Sequence, residues 1–564
     1  RGRGAGARGA GAARRGDGAR AARVALGSVV DVEAWTRGFC EVEDPEGGFY
    51  FLDGVEGVPA DLRGTLFRNG PSNFVVGGVK IKHPLDGDGL ILAVSFCGEG
   101  KVCVRHRNVQ TQGLMRDALE KRLCTPGFFG TEVQGGKLFD LRKGQIKNTA
   151  NAGLLWWKQR LLALWRFGKP FEVEPNALGT VIGNQENGST NIGLLLDDDS
   201  PFGASPKVCA TTGDLVNFAQ MPQALGTKVN FYELPADEWR PRSRFPRMLR
   251  LDSFTDLSDF AVTPKWFVVA KPPVSANGIA ATFGKNMPEV LSYDPNGVGE
   301  LIFVSRSKKA NREVKIPVDN LVCQEFVNAY ELEGGRVVLD VIAAERWDVA
   351  PCWEAESRPR TRLVRYEVDL KNESWTKREL CSRHLEFASV NPSVVGRPHS
   401  FLFAAVAAPQ SAVASGVAKV DVETGEVDEW VPGPAEFAGP PAFVPRQPPA
   451  SAEGSEGGSG ASEDDGYLVT VVYDGAANRS DVVVLDAREV SKGPICRFAL
   501  KAAVPHGLKS CWAEGFVPTA EDMKRKVTLL KMYKRKSREW NAVSTNLTMM
   551  GTNPFFEQSG TRLR

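Results

Sequence analysis

Short runs of apolar and β-branched residues, separated by Gly, Pro, Asp and Asn, recur along most of this chain. In 415–431 a Thr-Gly pair divides two alternating runs, which is typical of a β-hairpin. Strong helical patterns are few and do not alternate with the strands, which argues against a doubly wound parallel sheet. Many short strands without a domain break predict a closed or radial all-β architecture, above all a β-propeller. The clearest predicted strands are KWFVVA (265–270), RVVLDVIAAE (336–345), TRLVRYEVDL (361–370), SFLFAAVAA (400–408), GYLVTVVYD (466–474) and SDVVVLDARE (480–489).

The N-terminal segment 1–24 is rich in Arg, Gly and Ala and lies outside this strand-rich body. Its first 23 residues contain seven Arg and one Asp. Such a composition resembles an organelle transit segment, although Ser enrichment and an initiating Met are lacking. A disordered low-complexity tail and an RGG-like RNA-binding arm are the alternatives.

Two further segments are set apart by composition. Residues 447–465 are predicted to form a low-complexity surface insertion between strands. The C-terminal extension 520–564 begins with a predicted helix over 520–540, in which eight Lys and Arg lie between 524 and 538. This helix either docks one apolar stripe on the body or attaches to an anionic membrane surface or an acidic protein partner.

Charge and cysteine content exclude several classes of protein. Removing the seven Arg and one Asp of residues 1–23 from 70 basic and 68 acidic residues leaves 63 and 67, so the body is close to neutral. A near-neutral body argues against nucleic acid as a partner. The 10 cysteines are scattered without a CxxC pair, which indicates reduced thiols rather than a zinc or disulfide scaffold.

Familiar catalytic motifs are missing from the sequence. There is no Walker loop, no GxGxxG ahead of a helix and no HExxH. DGDG at 86–89 does not begin a calcium loop, because Leu90 and Cys97 stand where oxygen ligands are needed. The chain has five histidines, and none forms an HxH or HxxxH pair that would indicate a metal site.

Ten segments nevertheless appear together in one order, and with them the chain resembles the carotenoid cleavage oxygenase family over residues 45–519. The resemblance implies a seven-bladed β-propeller with a cap of loops and short helices. It also implies a hydrophobic tunnel that leads a polyene to a ferrous iron on the propeller axis. The segments are EGVPADLRGTLFRNGPSNF (56–74), HPLDGDGLILAVSF (83–96), KNTAN (147–151), LLALW (161–165), SPKVCATTGDLVNF (205–218), SDFAVTP (258–264), VNAYE (327–331), GRPHSFLF (396–403), FVPR (443–446) and EDDGYLVTVVYD (463–474).

In that family four histidines hold the iron, and the resemblance assigns each a position here. The positions are those of His-Pro-Lys-Val, His-Asp-Phe-Ala, His-x-x-Asn-Ala-Tyr-Glu and Pro-x-Gly-Phe-His-Gly motifs. They are occupied by Ser205, Ser258, Glu325 and Lys509. A serine hydroxyl is a poor ligand for Fe²⁺ and a protonated ammonium is none. We therefore expect no iron and no other cofactor, with His506 as a conceivable rescue ligand.

The family orients its ligating imidazoles with glutamates, whose positions here are Arg166, Glu386 and Pro440. Only Glu386 is retained. We predict that Lys509 takes over the positive charge of the metal and pairs with Glu325, while Arg166 pairs with Glu386 or Glu325. The alternative is that Lys509 and Glu325 are catalytic, with the lysine acting as a general base or Schiff-base nucleophile.

These observations favour a metal-free pseudoenzyme that binds a carotenoid or apocarotenoid, or that serves as an assembly partner. The alternative is an active dioxygenase with an atypical metal site. The ligand expected in either case is a hydrophobic polyene. The leader and the usual location of carotenoids favour a plastid, with the cytoplasm as the alternative.

Overall fold

The computed structural model describes residues 30–45, 48–133, 146–183, 185, 187–192, 195–197, 200–223, 226–237, 246–276, 287–348, 353–355, 358–447 and 462–523. The leader 1–24, residues 448–461 of the insertion and residues 524–564 lie outside the described residues. The predicted division of the chain into these regions therefore stays a prediction.

Seven antiparallel sheets form the body, and we number them as blades one to seven in chain order. Blade one contains β1 (Tyr50–Leu52), β2 (Gly64–Ser72), β5 (Asp88–Gly98), β6 (Lys101–Asn108) and β33 (Lys509–Glu514), with the hairpin β3 (Val75–Val76) and β4 (Val79–Lys80) inserted. Blade two contains β7 (Gly153–Trp157), β8 (Arg160–Leu164) and β9 (Phe171–Val173). Blade three contains β10 (Lys207–Val208), β11 (Leu215–Gln223), β12 (Gly226–Leu234) and β13 (Arg247–Leu251).

Blades four to seven follow the same plan. Blade four contains β14 (Phe260–Val262), β15 (Trp266–Lys271), β18 (Gly299–Ser305) and β19 (Glu313–Val318), with the hairpin β16 (Val274–Ala276) and β17 (Leu291–Tyr293) inserted. Blade five contains β20 (Val322–Glu331), β21 (Arg336–Ala344), β22 (Thr361–Asp369) and β23 (Ser374–Cys381). Blade six contains β24 (Leu385–Ser389), β25 (Phe401–Ala407), β26 (Ala414–Asp421) and β27 (Val427–Trp430). Blade seven contains β28 (Glu436–Ala438), β29 (Ala442–Pro445), β30 (Gly466–Asp474), β31 (Arg479–Asp486) and β32 (Pro494–Ala499).

This arrangement is a seven-bladed β-propeller, as the sequence and the family resemblance predicted. The ring closes in blade one, where the C-terminal strand β33 pairs with the N-terminal strand β2 in the register Lys509 to Asn69. Closure gives every sheet a neighbour on both faces, so the alternating side chains of each strand are buried between blades. A shared core of blades four and five includes Phe303, Leu339 and Tyr366.

Predicted strands match observed ones closely where turn residues bound them. GYLVTVVYD is β30 from end to end, and TRLVRYEVDL gives β22. The predicted hairpin in 415–431 is observed as the antiparallel pair β26 and β27. A 3₁₀ turn over Pro84–Asp86 precedes β5, and the last two residues of DGDG already belong to that strand. Gly87 lies so close to the backbone of Ser72 that a side chain would collide with it.

Helices in the described part of the chain are short. They are α1 (Val32–Arg37), α2 (Gln112–Glu120), α3 (Met287–Val290) and α4 (Ala520–Met523), with 3₁₀ turns at Pro84–Asp86, Glu333–Gly335, Pro392–Val394 and Val490–Lys492. Of the helix predicted over 520–540, only α4 falls within the described residues. Among the residues described, no helix is long and apolar enough to span a membrane. The nine cysteines that the structure describes are all unpaired.

Candidate functional site

The four positions that the family resemblance assigns to iron ligands, here called the former ligand positions, lie at or near the starts of the edge strands of their blades. Ser205 precedes β10 by two residues, Ser258 precedes β14 by two, Glu325 is near the start of β20, and Lys509 is the first residue of β33. These strands approach one another between neighbouring blades, β14 against β20 for example. Ser258 and Glu325 line a common cavity, whereas Ser205 is not part of the described lining.

Glu325 and Lys509 form an ion pair across two blades. The Lys509 Nζ donates to Glu325 Oε1 at 2.5 Å, and the other carboxylate oxygen accepts the Ala388 amide at 2.9 Å. A β-bulge between Cys323 and Glu325 interrupts the pairing of β20 at this point, and bulges redirect side chains. The predicted contact between Lys509 and Glu325 is confirmed, while the roles assigned to these residues stay predictions.

The electrostatic surroundings keep Lys509 protonated. Burial lowers the pKa of the Lys509 ammonium, but the carboxylates of Glu325 and Asp259 outweigh it, so the pKa lies above its ordinary value. The side chain is nevertheless 39% accessible, so it is not sealed within the protein. A protonated lysine does not act as a base or nucleophile until it loses that proton.

A second ion pair lies beside the first and was not predicted from the sequence. The Lys207 Nζ lies 3.1 Å from Asp259 Oδ2 and donates to the Phe326 carbonyl at 3.1 Å. The same carboxylate oxygen of Asp259 accepts the Phe326 amide at 2.9 Å. We call Lys207, Asp259, Glu325 and Lys509 the central quartet. Its two positive and two negative charges cancel without a metal ion.

The partner predicted for Arg166, Glu386 or Glu325, is wrong. Arg166 Nη2 contacts Asp256 Oδ1 at 2.6 Å and donates to the Leu257 carbonyl at 2.9 Å. It therefore contacts neither Glu325 nor Glu386. The cause is local geometry, because the segment just before β14 brings Asp256 and Leu257 to the end of β8, and a near carboxylate is the better partner for a guanidinium.

Glu386 has its own cationic partner. Arg358 Nη2 contacts Glu386 Oε1 at 2.5 Å, and His384 Nε2 lies 3.5 Å from the same oxygen. Burial raises the pKa of the Glu386 carboxyl, but Arg358 and His384 outweigh it and hold the pKa at about 2. Pro440, the third of these positions, is buried between β28 and β29.

His506 belongs to an aromatic cluster. Its ring stacks on Trp35 with centroids 5.7 Å apart and contacts Phe39, Phe437 and Tyr473 edge-on. The Nε2 donates to the Trp35 carbonyl at 2.9 Å, and burial lowers the pKa of the imidazole to about 4. A ring held in this way is a neutral packing element, so its Nε2 is not available as a rescue ligand.

A cavity of about 350 Å³ lies at this end of the propeller. Its wall combines charged residues at the strand ends, such as Glu325 and Glu386, with aromatic residues from the cap. Trp35 from α1 and Phe39 just after it belong to the aromatic part. An apolar cavity with a few converging polar groups is the usual form of a small-molecule site.

The side chains at the four positions do not fit ferrous iron. Two are neutral hydroxyls, one is a carboxylate held by a lysine and a backbone amide, and one is a protonated ammonium. In the part of the chain that the structure describes, no three His, Cys, Asp or Glu residues are grouped so that they could hold a metal ion. The remaining histidines serve in packing or buried hydrogen bonds, as His399 does with the side-chain amide of Asn328 at 3.1 Å.

Comparison with known proteins identifies the family. The family model described as retinal pigment epithelial membrane protein matches residues 51–514. The apocarotenoid-15,15'-oxygenase of Synechocystis sp. is 32% identical over 505 residues, covering 85% of this chain and 96% of that protein. This chain belongs to the carotenoid oxygenase family. The family is known for iron-dependent carotenoid cleavage.

More distant relatives and solved structures agree with this assignment. A chloroplastic 9-cis-epoxycarotenoid dioxygenase of Arabidopsis thaliana is 28% identical, covering 81% of this chain and 77% of that protein. The crystal structure of cobalt-substituted Synechocystis apocarotenoid oxygenase superposes with a TM-score of 0.76 at 30% identity, covering 86% of this chain and 99% of that one. The predicted family is therefore confirmed over the whole propeller.

Several residues of the site were not recognised in the sequence. Lys207 and Asp259 stand within two residues of the former ligand positions Ser205 and Ser258, and this proximity was the available signal. Asp256 also stands within two residues of Ser258, so the same signal was available for it, whereas Arg358 carried no such signal. Asp256 lies between blades three and four, and Arg358 lies in the connection between β21 and β22 of blade five. Only the closed ring brings both segments to the cavity.

Proposed function

We propose that this member of the carotenoid oxygenase family is a metal-free pseudoenzyme that binds a carotenoid or apocarotenoid polyene without cleaving it. The observation that carries the proposal is the ion pair between Lys509 and Glu325, two residues at former ligand positions. Admitting Fe²⁺ there would bring a dication next to the Lys509 ammonium and would require Glu325 to leave its partner. The central quartet pairs each of its cations with a carboxylate, so no metal ion is needed to balance its charge.

Relatives support the class of ligand. Printed names among them include an apocarotenoid oxygenase and a 9-cis-epoxycarotenoid dioxygenase, both of which act on carotenoid-derived polyenes. The aromatic wall formed by Trp35, Phe39 and Phe437 suits an extended apolar ligand. Chloroplastic relatives in Arabidopsis thaliana support a plastid as the place where this chain meets its ligand.

Metal and pigment analysis of the full chain tests the proposal. The protein is produced in carotenoid-accumulating cells with iron supplied, and iron and extractable pigment are measured per chain. Synechocystis apocarotenoid oxygenase, prepared in parallel, is the positive control for iron. We expect pigment without stoichiometric iron. Stoichiometric iron together with O₂-dependent cleavage of an apocarotenal would instead establish an active dioxygenase. A chain with neither pigment nor iron would support a role in assembly alone.

A further inference from the structure

Arg68 is a buried cation in the wall of the cavity. It lies in the middle of β2, its exposed fraction is 6%, and its side chain belongs to the cavity lining. Nη2 donates to the Pro505 carbonyl, and Nε has no hydrogen-bond partner. Gly507 lies against Nε so closely that a side chain at that position would displace the guanidinium. The fold therefore holds Arg68 at the cavity wall with part of its donor capacity unused.

The other cations around the cavity are each matched by a carboxylate, and Arg68 is not. Among the described residues no Asp or Glu forms an ion pair or hydrogen bond with Arg68, whose one observed acceptor is a neutral carbonyl. Burial lowers the pKa of Arg68 to about 10, so the side chain is still charged at neutral pH. The matched pairs are Arg166 with Asp256, Arg358 with Glu386, and Lys509 with Glu325.

A second buried arginine shows how the fold satisfies such a group when it is only structural. Arg105 is 1% exposed and also has no carboxylate within ion-pair distance among the described residues. Its Nη1 donates to the carbonyls of Pro175 and Asn176, and its Nη2 donates to Ser95 Oγ, so only its Nε, like that of Arg68, has no hydrogen-bond partner. Arg105 is not part of the described cavity lining. Arg68, with fewer acceptors, faces a space that a ligand can enter.

We propose that the cavity binds an apolar chain that ends in a carboxylate, with the carboxylate on the guanidinium of Arg68. Arginine binds carboxylates through two parallel hydrogen bonds, and burial makes the contact stronger than it is in water. The chain of the ligand then lies along the aromatic residues Trp35, Phe39 and Phe437. This inference rests on the proposed binding function and narrows the ligand from polyenes in general to polyene acids or other long-chain acids.

Ligand titration of the full chain tests the inference. Binding of all-trans-retinoic acid and all-trans-retinol is followed by quenching of tryptophan fluorescence, since Trp35 lines the cavity. These probes differ only in the acid or alcohol end. We expect the acid to bind about tenfold more tightly, as a charge-assisted hydrogen bond would give. Arg68→Met removes this preference, whereas Arg68→Lys keeps part of it.

A matched control keeps the net charge of the cavity unchanged. The double variant Arg166→Gln/Asp256→Asn removes a matched ion pair from the same wall, and we expect it to keep the preference for the acid. Hexadecanoic acid, added as a competitor, distinguishes the sources of the carboxylate. Displacement of retinoic acid indicates a saturated fatty acid, and failure to displace it indicates a polyene acid.

The outcomes separate this inference from the proposed function. Equal affinity for acid and alcohol in the unaltered chain overturns the role of Arg68 and leaves polyene binding intact. Binding of neither retinoid overturns both. If Arg68→Met does not fold, the comparison of the two ligands on the unaltered chain and on Arg68→Lys still decides the question.

Discussion

Lys147 and Lys509 are each neutralised by carboxylates, and they differ in what surrounds them. Lys147 contacts Asp88 and Asp117 at 2.8 Å each, and the side chains of all three are at most 4% exposed. We call these residues the wall triad. In the central quartet, Lys509 is 39% exposed and Glu325 16%. The wall triad is sealed within the protein, whereas in the quartet Lys509 is partly accessible and Glu325 lines the cavity.

The difference indicates which cluster holds the fold and which shapes a site. The triad joins β5, α2 and the KNTAN segment. Because its side chains are buried, water cannot replace Lys147 as the partner of the two carboxylates. Burial lowers the pKa of Lys147, but Asp88 and Asp117 outweigh it and the pKa lies above its ordinary value. The quartet joins the edge strands of blades one, three, four and five. Lys509 is partly accessible there, so water can replace a lost partner.

The largest effect is expected from breaking the wall triad. Lys147→Met leaves two buried carboxylates without a cation, and we expect it to lower the free energy of unfolding by about 3–5 kcal/mol. Urea denaturation measures the loss. The triple variant Lys147→Met/Asp88→Asn/Asp117→Asn removes the charges as well and should recover part of the stability. A loss below about 1 kcal/mol in the single variant would show that the triad is solvated like a surface pair.

A smaller effect is expected from protonating Glu386, in the wall of the cavity, at acidic pH. The pKa of Glu386 is about 2 in the folded protein against an ordinary value of 4.5, so its ion pair contributes stability above about pH 5 that is lost as pH falls toward 2. The shift corresponds to about 3 kcal/mol at most. Denaturation from pH 6 to 2.5 should therefore show a shallower decline in Glu386→Gln than in the unaltered chain. Parallel declines would contradict the pairing with Arg358.

The smallest effect is expected from Lys509→Met. Glu325 keeps its hydrogen bond from the Ala388 amide and borders open space, so we expect a loss of only about 1 kcal/mol in the free energy of unfolding. Thermal and urea denaturation beside Lys147→Met measure the contrast directly. If Lys147→Met and Lys509→Met lower the free energy of unfolding by the same amount, the contrast between a sealed and a partly accessible cluster is wrong. Lys509→Met/Glu325→Gln is the matched control, because it removes both charges of the pair.

The pairing partners in the site show where prediction from sequence reached its limit. Lys509 and Glu325 were paired correctly because the family resemblance set both at one centre. Arg166 was assigned to Glu386 or Glu325, but it contacts Asp256 instead. Nothing in the local sequence distinguishes these carboxylates. Arg166 pairs with the carboxylate that the closed ring brings nearest to it, and that residue, Asp256, lies 90 residues away along the chain.

Arg68 illustrates a second limit. In the sequence, Arg68 is a charged residue within the segment LFRNGP, and nothing there indicates burial. The sequence does not reveal that β2 lies between β33 and β5. The side chain is consequently buried beside Pro505 and Gly507, residues more than 400 positions away. An unmatched charge is visible only after every neighbouring carboxylate has been located in space.

The sequence alone determined the family and the β-propeller, because strand patterns and motifs are local and survive in order. The assignment of Ser205, Ser258, Glu325 and Lys509 to the iron-ligand positions stays a prediction. Only the tertiary structure decided how the substituted charges are neutralised. Ion pairs depend on distances of a few ångströms between residues from different blades, and ring closure sets those distances. The same closure matched Lys509 with Glu325 and left Arg68 unmatched in the wall of the cavity.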